Sequence, residues 1–225
     1  MAMTLSSITR MEDVREGDIF LGNIPGLGGA IVRLGELMVD GGFRVGPLDV
    51  RHIAIVTGAD PRTGEFRLTQ AMPGGAETVT MTHEQHWTPK CAYARPFEDY
   101  PGQARDAARL ARMMVLRGVG YSWASYAALA AWRWGWKTAR LEQWIDRRQA
   151  TFWFRQTNGQ ERYLALPVEA ICSVLVDQAW SMVGKRVVTG TAHQAVTPSM
   201  LAQSLLADPG VVWGFPGHHP YVPTI

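Results

Sequence analysis

Leu166 to Gly184 reads LPVEAICSVLVDQAWSMVG, and its apolar spacing predicts an amphipathic helix with a single thiol, Cys172, near its first turn. At a helix start the first backbone N–H groups lack intrahelical carbonyls and the dipole is positive, which favours a thiolate. A thiol used as a nucleophile also needs a base to take its proton, a polar group to hold that base in one tautomer, and donors aimed at the developing oxyanion. The strands upstream offer candidates for each.

Val50 to Thr57 (VRHIAIVT) is a β-branched run closed by Gly58, and Phe66 to Ala71 (FRLTQA) follows after the turn PRTGE. The two predict an antiparallel hairpin. Alternation puts His52, Ala54 and Val56 on one face and Ile53 and Ile55 on the other, while Leu68 and Gln70 share a face of the partner strand. His52 and Gln70 are thereby expected on neighbouring strands and the same face. His52 is the candidate base, Gln70 its orienter. The Cys172 N–H, its neighbour Ser173 and the Tyr121 hydroxyl are the candidates for the oxyanion and substrate contacts.

Around this pair, Gly17 to Gly22 (GDIFLG) predicts a first strand, and Ala30 to Val39 a short helix. Glu77 to Met81 and Lys90 to Arg95 predict two further strands, and Pro101 to Arg117 a helix stopped by Gly118. Tyr121-Ser122-Trp123 opens a second helical region reaching about Gln149 that holds five of the nine tryptophans. A polar turn from Gln156 to Glu161 then precedes the cysteine helix. Lys185 to Thr189 suggests a strand, Thr197-Pro198 caps a final helix, and a Pro/Gly-rich tail covers 209–225. The fold class expected is α+β in a single domain over 1–225. It combines a small antiparallel β-barrel or sheet, packed on the helix that bears the cysteine, with a helical insertion at 122–165.

In order along the chain, GDIFL, AIVRLGEL, RHIAIV, LTQA, GYSW and ICSVLV resemble the circularly permuted NlpC-type papain-like cysteine hydrolases. That group includes the YiiX-like bacterial proteins and, more distantly, the lecithin retinol acyltransferases. The order carries the resemblance, because in this family the histidine strand precedes the cysteine helix, the reverse of unpermuted papain-like enzymes. The resemblance implies a permuted papain-like fold with Cys172 as nucleophile, His52 as base, Gln70 as the third polar residue and Tyr121 in the pocket. It further implies a cysteine-dependent amide hydrolase, with peptidoglycan stem peptides as substrate and no metal or cofactor. Gln70 stands where relatives often carry an acidic residue or histidine, and a glutamine carbonyl stabilises imidazolium less than a carboxylate does.

Two other functions suit the same residues: a non-catalytic docking module such as a phage tail component, and a lipid acyltransferase or thioesterase. The tryptophan-rich insertion is as well suited to a protein partner, as in virion assembly, as to a core. With 22 basic and 20 acidic residues the net charge is +2, too weak a basic field to indicate nucleic acid. The longest apolar stretch, Trp123 to Trp136, is shorter than the roughly 20 residues of a membrane span. The N-terminus lacks the apolar run of a secretory signal, so the expected location is cytoplasmic as synthesised, or virion-associated in the phage setting. Cys91 and Cys172 lack metal or disulfide-framework spacing, which leaves a lone bridge between them open but unsupported. His83 and His86 lack the i, i+4 spacing of a helical metal site. His193, the alternative base, is followed by too little chain to build the sheet that would carry it.

Overall fold

The computed structural model describes residues 8–22, 44–45, 48–50, 52–60, 62–63, 65–82, 91–122, 151–157, 161–167, 169–190 and 196–215. The first strand, β1 (Ile19–Gly22), is followed by a two-residue ladder of β2 (Arg44–Val45) with β3 (Leu48–Asp49). Next come β4 (His52–Asp60), β5 (Glu65–Met72), β6 (Gly75–Thr82) and β7 (Ala92–Arg95). Helix α1 (Pro101–Leu116) leads into β8 (Gly120–Tyr121). After β9 (Thr151–Thr157), β10 (Glu161–Pro167) and β11 (Glu169–Ala170) come α2 (Cys172–Met182), α3 (Pro198–Ala207) and β12 (Val212–Gly214).

Six of these strands form one antiparallel sheet in the order β12-β7-β1-β4-β5-β6. The fold is α+β, as the sequence indicates. The sheet is open, with β12 and β6 at its edges, which corrects the expectation of a barrel. Strand alternation explains its two faces. Ile19, Leu21, Ile53, Ile55, Ala92 and Ala94 pack with Ala107, Ala111 and Met114 of α1 and with Leu175 and Ala179 of α2. Phe20, Ala54, Val56, Phe66, Leu68 and Tyr93 form the opposite face, joined there by Ile8, Val14 and Val212. At about 25 cal/mol per Å² of apolar surface removed from water, these two layers supply the main drive for folding.

The small residues on α1 let it approach the sheet closely. Gly17 takes φ +94, donates its N–H to the Val56 carbonyl at 2.8 Å, and lies where a Cβ would come within 2.6 Å of the Ala104 Cβ. Glycine is therefore required there both by conformation and by contact. At the start of α3 the Thr197 hydroxyl accepts the Met200 N–H at 3.1 Å, the N-cap its sequence specifies.

Three expectations are corrected. Residues 151–165, read as the end of a helical insertion, belong instead to an antiparallel hairpin with Thr151 opposite Pro167 and Thr157 opposite Glu161. The aromatic run Phe152-Trp153-Phe154 suits a strand, and Asn158-Gly159 between the strands is a strong hairpin signal. Lys185 to Thr189 forms no strand, because Asp177 holds it back against α2: Val188 N–H donates to Asp177 Oδ1 at 3.0 Å and Arg186 Nε to Oδ2 at 3.3 Å. Within the tail expected to be irregular, Val212–Gly214 is an edge strand paired with β7, as its β-branched and aromatic residues favour. The expected helix at Ala30 to Val39, residues 123–150, His83, His86 and His193 lie outside the described residues.

Candidate active site

Cys172 is the first residue of α2. Ile171 before it is extended, with φ −92 and ψ 167, and the first intrahelical bond runs from Leu175 N–H to the Ile171 carbonyl at 3.0 Å. The preceding strand β11 pairs in parallel with β8, placing Ala170 opposite Tyr121, and Ser122 N–H donates to the Ala170 carbonyl at 3.3 Å. Tyr121 thus stands across a short ladder from the residue two before the thiol. At the far end of α2, Gly184 adopts φ +80, and Lys185 N–H returns to the Trp180 carbonyl at 3.1 Å. This is the left-handed stop that the sequence carries.

His52 opens β4, directly opposite Gly22 of β1, and is 4% exposed. A Cβ at residue 22 would meet the Phe20 ring at 2.5 Å, so the glycine makes room for that ring. His52 Nε2 lies 2.7 Å from Gln70 Oε1, and Gln70 Nε2 donates to Glu77 Oε1 at 2.8 Å. Gln70 and Glu77 are directly opposed in the β5–β6 register. One hydrogen-bonded chain therefore crosses three adjacent strands.

This chain has a chemical direction. An ionised carboxylate only accepts, so the Gln70 amide nitrogen faces Glu77 and its carbonyl faces the imidazole. A carbonyl also only accepts, so the proton of the neutral ring sits on Nε2. Nδ1 is then the basic nitrogen.

The thiol and the imidazole come to the same end of the sheet. The β4 start, the β5 end and the β6 start coincide there, and Ala76 N–H at the β6 start donates to the Val119 carbonyl at 2.8 Å. Val119 leads directly into β8 and hence to the ladder that delivers Cys172. Gly75, with φ +117, permits this approach: a Cβ on it would lie 3.3 Å from the Val119 carbonyl oxygen. The helix-facing positions of β4 are Ile53 and Ile55, and His52 has the opposite parity. His52 therefore shares the face of Ala54 and Val56, which α2 does not cover, and takes the first position of the strand.

Ser173 does not join the group as expected. It is fully buried, and its hydroxyl donates to the Val196 carbonyl at 2.6 Å, tying α2 to the segment that enters α3. Only its backbone N–H remains at the helix start. Cys91 and Cys172 are both buried and are not joined in a disulfide, which removes the bridge between them. No group of three or more His, Cys, Asp or Glu side chains suited to a metal is present among the described residues, and none of their helices is long and apolar enough to cross a membrane.

Glu77 is the member that sequence reasoning missed. The signal was present: a two-residue Pro73-Gly74 turn sets Met72 opposite Gly75 and, two positions on, Gln70 opposite Glu77.

A cavity of about 440 Å³ opens at the other end of the sheet, lined by Glu12, Asp18, Asp60, Glu65, Arg95 and Trp180 among others. Cys172, His52 and Gln70 do not line it. Its floor is structural: Arg95 grips Asp18 through Nε at 2.8 Å and a second guanidinium nitrogen at 2.9 Å. Burial pushes the Asp18 carboxyl up, and Arg95 pulls against that shift.

Neither a family model nor a curated protein matches the chain.

Proposed function

We propose that the chain is a cysteine-dependent amide hydrolase, with Cys172 as nucleophile and His52 as base, built on a permuted papain-like version of the α+β fold. The observation that carries this reading is the His52–Gln70–Glu77 chain. It leaves the basic nitrogen of a buried imidazole at the end of the sheet where a thiol heads a helix.

In the proposed reaction Nδ1 of His52 takes the Cys172 proton and the thiolate attacks the amide carbonyl carbon. Backbone N–H groups at the α2 start stabilise the oxyanion, with the Tyr121 hydroxyl as the candidate additional donor. Collapse breaks the C–N bond, and the leaving amine takes its proton from the imidazolium. Water then attacks the thioester, giving its proton to His52, and the carboxylic acid and the thiol are released. The substrate class, peptidoglycan stem peptides, follows from the resemblance in the order of the motifs.

One observation favours a second reading, a non-catalytic docking module. Cys172 is 2% and His52 4% exposed, a burial that a purely structural pair would share. Digestion of purified peptidoglycan separates the two. The hydrolase reading expects new amine termini in the released muropeptides, lost in folded Cys172→Ala. Unchanged peptidoglycan with native and variant protein alike favours the docking module. A thioester on Cys172 formed from a lipid donor alone indicates acyl transfer.

A further inference from the structure

We infer that Glu77 is a positioning residue of the site: through Gln70 it selects the tautomer in which His52 can accept the thiol proton. The inference rests on the hydrolase reading for its catalytic meaning, but its structural basis is independent of it.

The terminal amide of glutamine is nearly symmetric in shape and can turn over with little steric change. In one orientation its carbonyl faces His52 Nε2, as observed at 2.7 Å. In the other its NH₂ group does, and the ring must then accept at Nε2 and carry its proton on Nδ1. A ring with the proton on Nδ1 cannot take a second proton from a thiol at that atom. Something must therefore break the degeneracy of Gln70, and Glu77 does so because it accepts at 2.8 Å and donates nothing.

The sheet holds Glu77 in place for this role. Gln70 and Glu77 are directly opposed, with Thr69 opposite Thr78 and Ala71 opposite Ala76 on either side. The Thr69 and Thr78 hydroxyls are hydrogen-bonded at 2.8 Å, which fixes the register against slippage. Glu77 is exposed and belongs to β6, one strand beyond Gln70, so it acts on the imidazole through the amide. When His52 becomes imidazolium, the negative charge of Glu77 polarises the amide and strengthens the carbonyl as an acceptor. A glutamine in the third position thereby gains part of what a carboxylate would give directly.

The test is nitrogen-15 NMR of His52 in the full chain, at a pH where the ring is neutral, for native protein and for Glu77→Gln and Glu77→Ala. The native ring is expected as the Nε2–H tautomer, and both variants are expected to populate Nδ1–H with unchanged thermal melting. In the same variants Cys172-dependent amide cleavage is expected to fall roughly tenfold in kcat with KM unchanged, the effect of about one net hydrogen bond to a charged group. A tautomer and a kcat both indifferent to Glu77 would overturn the inference. Tautomer change in a protein without hydrolase activity would uphold the role of Glu77 and overturn the catalytic reading alone.

Discussion

His52→Ala is expected to reduce Cys172-dependent amide cleavage by roughly 10²- to 10⁴-fold, the range that a positioned general base contributes. The substitution removes the proton acceptor and leaves the Gln70 carbonyl facing a void at the start of β4. Loss should appear in kcat, because the imidazole acts on the nucleophile and the leaving amine and does not bind substrate in the ground state. The fold should survive: the residue sits at the strand's first position, and the β1–β4 ladder is made by the backbone. Circular dichroism of the variant beside single-turnover kinetics checks both halves. Retained activity in a folded variant would remove His52 from the reaction.

Arg95→Met is expected to produce the largest loss of stability. Arg95 and Asp18 have side-chain exposures of 9% and 2%, and the guanidinium is the cationic partner of a carboxylate that otherwise accepts the Arg15 N–H at 2.8 Å. Removing one member of such a pair leaves a buried charge and costs roughly 3–5 kcal/mol. Asp18→Asn combined with Arg95→Met should recover much of this, since no buried charge is left. The pH dependence has a definite sign. Burial already pushes the Asp18 carboxyl up in the folded protein despite Arg95, and the folded form therefore holds that proton more tightly than the unfolded chain. Stability from this group is fully present below the unfolded carboxylate value and is lost as pH rises through the folded one. Without Arg95 the folded value rises further, so the deficit of Arg95→Met should shrink on acidification. Urea denaturation across a pH series measures it.

What could be read from the sequence was the part set by local periodicity. Alternation along VRHIAIVT and FRLTQA gave the central hairpin, and placing His52 and Gln70 on one face anticipated their hydrogen bond. The apolar spacing in Pro101 to Arg117, with Gly118 as its stop, and around Cys172 gave two helices. Distant pairing was not legible. Whether β12 and β6 close on each other depends on the edges of a sheet assembled from both ends of the chain, and Val212–Gly214 is a strand only because β7 offers it a ladder. Ser173 shows the same limit inside the site. A serine in the first turn of a helix suggests capping or catalysis, and only the approach of Val196 reveals that its hydroxyl is used for packing. Glu77 needed a count across a two-residue turn, a local inference that fixes a cross-strand partner once the turn length is recognised.

The joint action of Cys172 and His52 is tested most directly by the rate of Cys172 alkylation by iodoacetamide as a function of pH, in a Cys91→Ala background so that one thiol reports. With the pair coupled, reactivity should rise with a midpoint well below the ordinary thiol value of about 8.5, and His52→Ala should return it to that value. Equal, slow labelling of both proteins across the whole range would contradict it.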